Sequence, residues 1–281
     1  MDISIGLPST VRGLDGPALL DFARAADQAG FAGLGVIDRL VYDNYDSLVS
    51  LAAAAAVTER IRLASTVLLA SYRGSGTVLA KQLSSIDRLS GGRLVVGLSV
   101  GDRPDDFVAA GAAFRRRGRL LDAVVRELAA VWSTKEIGPA PQPGGPPLLF
   151  GGHSPAAMTR AAEHGIGWIA GGSSGSTYRD LLATARRKWT DAGRSGRLRA
   201  VALTYCCLGD NAREQAADYL RDYYAYIGPK AEKLAASVAA TPDRVREVVA
   251  DYAEAGCDEL VLVPCAGDVA QVERLAAAVL P

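Results

Sequence analysis

Short β-branched runs alternate with longer stretches of helical periodicity along the whole chain. That alternation marks a parallel α/β fold, because parallel strands must be joined by crossovers long enough to hold a helix. Residues 3–7, 34–37, 61–69, 94–100, 148–150, 166–170, 200–208 and 259–263 read as strands. Helical patterns cover 17–29, 48–57, 77–89, 117–132, 155–164, 178–192, 212–226, 242–255 and 269–280. Eight strand–helix units in 281 residues predict an α/β fold of the closed (β/α)8 TIM-barrel type. A doubly wound open sheet is the weaker alternative. Gly6-Leu7-Pro8-Ser9, after the first strand, is not the GxGxxG fingerprint such sheets carry there.

Two segments break the rhythm. Residues 133–147 hold Pro139, Pro141, Pro143, Pro146 and Pro147 together with three glycines, which predicts an irregular crossover. Residues 227–241 form an extra segment before the last unit, an insertion after the seventh strand of the kind that barrels carry in loops, often as lids.

Composition excludes several classes. Lys+Arg and Asp+Glu are both 31, so no basic excess points to nucleic acid. Cys206, Cys207, Cys257 and Cys265 contain no CxxC pair and make no disulfide framework. With His153 and His164 as the only histidines, no metal site is expected. The longest apolar run, 48–57, is too short to span a bilayer, so no membrane association is expected. The first ten residues lack a charged and apolar leader, and a cytoplasmic location is expected. Neither GxSxG nor GxxxxGKS occurs.

In such a barrel the chemistry sits at the C-terminal strand ends. Those ends carry Pro8-Ser9, Asp38-Arg39, Thr66-Val67, Gly101-Asp102, Gly151-Gly152-His153, Gly171-Gly172-Ser173-Ser174, Cys206-Cys207 and Pro264-Cys265. Two glycine pairs open helices on consecutive loops. Glycine lets backbone N–H groups approach an anion, and the helix N-terminus favours negative charge, so the pair suggests a phosphate site. The same glycines also suit ordinary tight turns. Asp38 and Asp102 are either acid–base groups or helix N-caps. Arg39 reads as an ion-pair partner of Asp38. His164 reads as a helix-end residue, and His153 lies beside the glycine loop. The run Arg115 to Arg117 with Arg119 reads as a solvated face able to meet an anionic tail. Tyr219, Tyr223 and Tyr226 share one helical face, as core packing or as an aromatic wall. The cysteines read as packing residues.

The chain resembles the bacterial luciferase-like superfamily of flavin- and deazaflavin-dependent oxidoreductases. The resemblance rests on residues 58–63 (TERIRL), 79–82 (LAKQ) and 87–94 (DRLSGGRL), with 97–101, 149–153 and 258–264. It covers nearly the whole length and implies one TIM-barrel domain over residues 1–281. It further implies FMN, often reduced, or coenzyme F420 at the C-terminal mouth, which includes Gly101 and His153. A bulge after the third strand, often with a non-prolyl cis peptide, supports the ring; here it maps to Thr66-Val67. The cofactor phosphate falls to Gly151, Gly152, Gly171, Gly172, Ser173 and Ser174. Family members often carry an acidic residue then histidine after the second strand, where this chain has Asp38-Arg39. Arg39 is a poor acid and is suited instead to an anionic reduced cofactor or a substrate carboxylate. Asp102 stands where some deazaflavin-dependent members carry a proton donor.

The resulting expectation is an F420-dependent oxidoreductase moving hydride to or from a small organic substrate. F420 is favoured by the short chain, the insertion and the arginines. An FMNH2-dependent monooxygenase supplied by a flavin reductase is the alternative, and a cofactor-free partner subunit is a remote one. A homodimer through the early helices is expected by analogy, as is a mostly apolar pocket drawing on the tyrosines and Trp168.

Overall fold

The computed structural model describes every residue except Lys135. Eight strands run β1 Asp2–Gly6, β2 Gly33–Val36, β3 Arg62–Leu68, β4 Leu94–Leu98, β5 Leu148–Gly151, β6 Gly167–Gly171, β7 Arg199–Cys206 and β8 Glu259–Pro264. They pair in that order into a closed barrel, every pairing parallel. Closure comes from β1 against β8, with Asp2 opposite Glu259 and Ile5 opposite Leu262.

Between and after the strands lie the helices α1 Gly16–Ala29, α2 Ser47–Val57, α3 Gly76–Leu89, α4 Pro104–Ala109, α5 Arg117–Trp132 and α6 Pro155–His164. They continue with α7 Gly175–Asp191, α8 Ala212–Tyr223, α9 Lys230–Ser237, α10 Pro242–Glu254 and α11 Ala270–Val279. Local chemistry starts these helices. Asp15 accepts the Ala18 N–H at 2.8 Å, with proline at the first turn of α1. Ser154 and Ser174 cap α6 and α7 in the same way.

Strand alternation sorts the side chains into two cores. Val201, Leu203, Val261 and Val263 join Leu149 and Ile169 in the cluster that fills the barrel. Their neighbours Ala200, Ala202, Leu260 and Leu262 face outward into the cluster shared with the helices. At the N-terminal end of the barrel, Glu259 accepts from Ser4 at 2.5 Å and pairs with Arg62 at 3.4 Å and with Arg199.

The structure departs from the sequence reading at short elements. Helix α4 was not foreseen, and α9 lies inside the stretch read only as an extra segment. The helix expected over 212–226 ends at Tyr223, and Tyr226 sits on a 3-10 turn, Ala225–Ile227. Trp168 does not border the mouth; it is fully buried and stacks on Tyr178 at 5.4 Å. The proline-rich stretch 133–147 carries no helix or strand among its described residues. No helix among the described residues is long and apolar enough to cross a membrane.

Candidate active site

The C-terminal strand ends open into a cleft of about 980 Å³. Asp38, Thr66, Val67, Gly101 and Asp102 line it, as do Gly151, Gly152, His153, Gly171 and Gly172. Ser173 and Ser174 line a smaller recess of about 170 Å³ that also borders Gly172, Tyr205, Leu234 and Ser237 of the main cleft. Arg39 lines neither.

The β3 end carries the shelf. Register between β3 and β4 shifts between Ser65 and Leu68, and the Thr66-Val67 peptide is cis. Glycines on both sides make room for it. A Cβ at Gly97 would lie 2.4 Å from the Ser65 carbonyl oxygen, and one at Gly151 would lie 2.8 Å from Val67 Cγ1. Thr66 lines the cleft, and its buried hydroxyl has no hydrogen-bond partner.

The two glycine loops end at the N-termini of α6 and α7, where unpaired N–H groups and the helix dipole favour an anion. Gly152 and Gly172 adopt left-handed φ values of 127° and 66°, which glycine takes without penalty. The buried Ser173 hydroxyl has no partner within the chain. Glycine loops, helix N-termini and a free hydroxyl fit the phosphate of a flavin or deazaflavin, and the β3 shelf fits its ring.

Asp38 is engaged rather than free. It is 5% exposed and accepts from Ser47 Oγ at 2.8 Å, the Leu69 N–H at 2.9 Å, the Tyr72 hydroxyl at 3.3 Å and Arg73 Nη2 at 2.7 Å. Its ion-pair partner is Arg73, not the adjacent Arg39. Burial first, and the Asp38 charge second, push the Tyr72 phenol well above its usual range. Arg39 packs between Tyr42 and Tyr223, donates to the Tyr223 carbonyl at 3.1 Å and reaches Asp105 at 3.4 Å.

Asp102 is exposed at the cleft and accepts the Tyr226 hydroxyl at 2.8 Å. Beside it lies Arg103, which the sequence reading missed. Arg103 is 4% exposed and its guanidinium faces the rings of Tyr226, Tyr223 and Tyr224 at 3.9, 4.6 and 5.6 Å. Burial pushes the Tyr223 phenol up to about 12, while Arg103 and Arg39 pull it down. Burial, then the hydrogen bond to Asp102, raise Tyr226 as well. Both phenols are therefore held in the neutral form; Tyr226 donates to Asp102, and both rings present their faces to Arg103.

Tyr223, Tyr224 and Tyr226 form the aromatic wall; Tyr219 is core, sharing a hydrogen bond with Thr10 at 2.7 Å. Arg117, from the arginine run, lines the cleft and stacks on Phe114 at 4.2 Å. Arg160, Lys230 and Lys233 line it too, and Arg160 is paired with Asp122 at 2.6 Å. The four cysteines are free and buried. Among the described residues no His, Cys, Asp and Glu group is placed to hold a metal ion.

The model of the luciferase-like monooxygenase family matches residues 6–259. The chain belongs to that family. An uncharacterised protein of Mycobacterium tuberculosis is 36% identical over 179 residues, which is 56% of this chain and 61% of the relative. Among solved structures, the monooxygenase RslO1 of Streptomyces bottropensis matches 100% of this chain and 99% of its own, with TM-score 0.78 and 22% identity. An F420-dependent secondary alcohol dehydrogenase, solved with an F420–acetone adduct, matches 99% and 98%, with TM-score 0.81 and 14% identity. At those identities the likeness is one of fold. Membership in this oxidoreductase family agrees with a closed barrel whose mouth brings the cis Thr66-Val67 bulge and two glycine loops to one cleft.

Proposed function

We propose that the chain is an oxidoreductase that uses coenzyme F420 to move hydride to or from a small organic substrate. The observation that carries this reading is that the cleft pairing the Thr66-Val67 shelf with the two glycine loops, which suits either a flavin or a deazaflavin, is also lined by Arg117, Lys230 and Lys233. When bound, the deazaflavin supplies a two-electron hydride-transferring ring, and the protein supplies position and charge. Thr66 and Val67 would support the ring. The loops at Gly151-Gly152 and Gly171 to Ser174 would hold the phosphate, with His153 lining the same cleft. Gly101 lines the cleft beyond the β4 end with a left-handed φ of 78°. Arg117, Lys230 and Lys233 line the cleft and form none of the ion pairs found among the described residues; a long anionic tail suits them.

Asp102 is the residue assigned to proton transfer at a substrate oxygen. Its carboxylate is solvent-accessible, borders the cleft and is oriented by the Tyr226 hydroxyl at 2.8 Å. Asp38 acts as a positioning residue. Its oxygens hold Leu69 and Arg73 and so brace the segment that leaves the β3 shelf. Arg39 packs behind Tyr223 of the aromatic wall and lends it positive potential.

A second reading, an FMNH2-dependent monooxygenase supplied by a flavin reductase, is favoured by the fold-level likeness to RslO1. The two readings part on cofactor. Fluorescence titration of the purified protein with F420, and separately with oxidised and reduced FMN, tests them. Micromolar F420 affinity with weak FMN affinity supports the deazaflavin reading. Preference for reduced FMN overturns it in favour of the monooxygenase, and binding of neither removes both.

A further inference from the structure

Arg103 is a buried cation with no anion. It is 4% exposed, borders the cleft and has a buried Nη1 with no hydrogen-bond partner. Among the described residues no carboxylate lies within ion-pair distance of it. The acids nearby in sequence have other partners: Asp102 takes the Tyr226 hydroxyl, Asp105 takes Arg39, and Asp106 takes the Leu40 and Val41 N–H groups. Removing a guanidinium from water is costly, and ring faces offset only part of that cost.

We propose that Arg103 is the specificity residue for a carboxylate on the substrate, a role that rests on the redox reading of this cleft. The position argues for substrate rather than cofactor phosphate. Arg103 leaves the β4 end, and its cage comes from the segment Tyr223, Tyr224 and Tyr226 at the end of α8. The phosphate loops follow β5 and β6, and already offer two helix N-termini, with Arg117 and Arg160 also lining the cleft. The chemistry argues for a carboxylate. Guanidinium presents a planar fork that matches two carboxylate oxygens, and three flanking rings hold that plane in place. The neutral tyrosines add an apolar wall, so an organic acid with an unsaturated or aromatic body fits best.

The test uses benzoate and its neutral analogue benzamide as probes, titrated calorimetrically into the wild type, Arg103→Met and Arg103→Lys. Cofactor affinity of each variant is measured in parallel by fluorescence with F420 and FMN. The expected result is benzoate binding that exceeds benzamide binding by on the order of 10- to 100-fold in the wild type. Arg103→Met abolishes that preference and leaves cofactor affinity unchanged. Arg103→Lys, which keeps the charge without the fork, retains part of it. Equal binding of the two probes overturns the proposal, as does no benzoate binding to the wild type. So does loss of cofactor affinity in Arg103→Met with benzoate binding intact, which reassigns Arg103 to the cofactor. Arg103-dependent benzoate binding by a protein that takes neither F420 nor FMN keeps the carboxylate site and removes the redox reading alone.

Discussion

The indole Nε1 of Trp168 donates to the carbonyl of Gly152 at 2.7 Å. A fully buried side chain on β6 thereby ties down the first glycine loop, which follows β5. Trp168→Phe keeps an aromatic ring and deletes the donor. The Gly152 carbonyl then loses its partner, at a cost of about 1–3 kcal/mol, with a little more from the volume removed. Cofactor affinity is expected to fall by on the order of tenfold, the effect of about 1.4 kcal/mol. Urea melts and a fluorescence titration measure the two effects separately. Destabilisation with unchanged affinity would show that the bond serves the fold and not the cofactor site proposed at this loop.

Asp38 gives a second prediction. It reads in sequence as an acid–base candidate, yet its oxygens receive four donors, including the Arg73 guanidinium. Breaking a buried pair by removing one charge costs about 3–5 kcal/mol. Asp38→Asn falls near 3 kcal/mol on that scale, since Arg73 keeps Asp46 at 3.1 Å. Thermal melts therefore drop by several degrees, at about 2–4 °C per kcal/mol. Folded Asp38→Asn protein binds cofactor within a few-fold of the wild type, and its pH–rate profile keeps its shape. A variant that melts like the wild type but has lost turnover would return Asp38 to the chemistry.

The contrast between Asp38 and Arg103 shows what was legible. Strand–helix alternation is a local signal, and all eight expected strands overlap the strands of the barrel. Thr66-Val67 and the glycine loops were legible because they lie at strand ends, which the fold gathers into one mouth. The partner of a charge is set by elements far apart in the chain. Arg73 meets Asp38 across 35 residues of sequence, so adjacency suggested Arg39 instead. Arg103 was missed because burial of one arginine depends on Tyr223 to Tyr226, more than a hundred residues away. Helices as short as α4 and α9 span too few turns to show a period. Gly97 had a readable context within a matched motif, but its task depends on the Ser65 carbonyl across the sheet.

Asp27 sets an expected pH dependence away from the cleft. From α1 it accepts the N–H groups of Glu59 and Ile61 at 2.8 Å each and of Arg60 at 3.3 Å, holding the turn that enters β3. Burial pushes its carboxyl upward, but those three bonds and the Arg60 charge outweigh it, leaving the group below its ordinary range. A depressed folded pKa means that the unfolded chain takes up the proton first as pH falls. The stabilisation is thus complete well above the unfolded value of about 3.9 and is lost as pH drops through the folded value. Hydrogen bonds to a charged group are worth about 1.5–3 kcal/mol; Asp27→Asn loses the low end of that near pH 7, since its amide oxygen still accepts. The gap between wild type and Asp27→Asn narrows below about pH 4. Urea unfolding of both proteins at pH 7, 5 and 3.5 measures it. A gap that stays constant or widens on acidification would mean that the N–H bonds do not depend on the Asp27 charge.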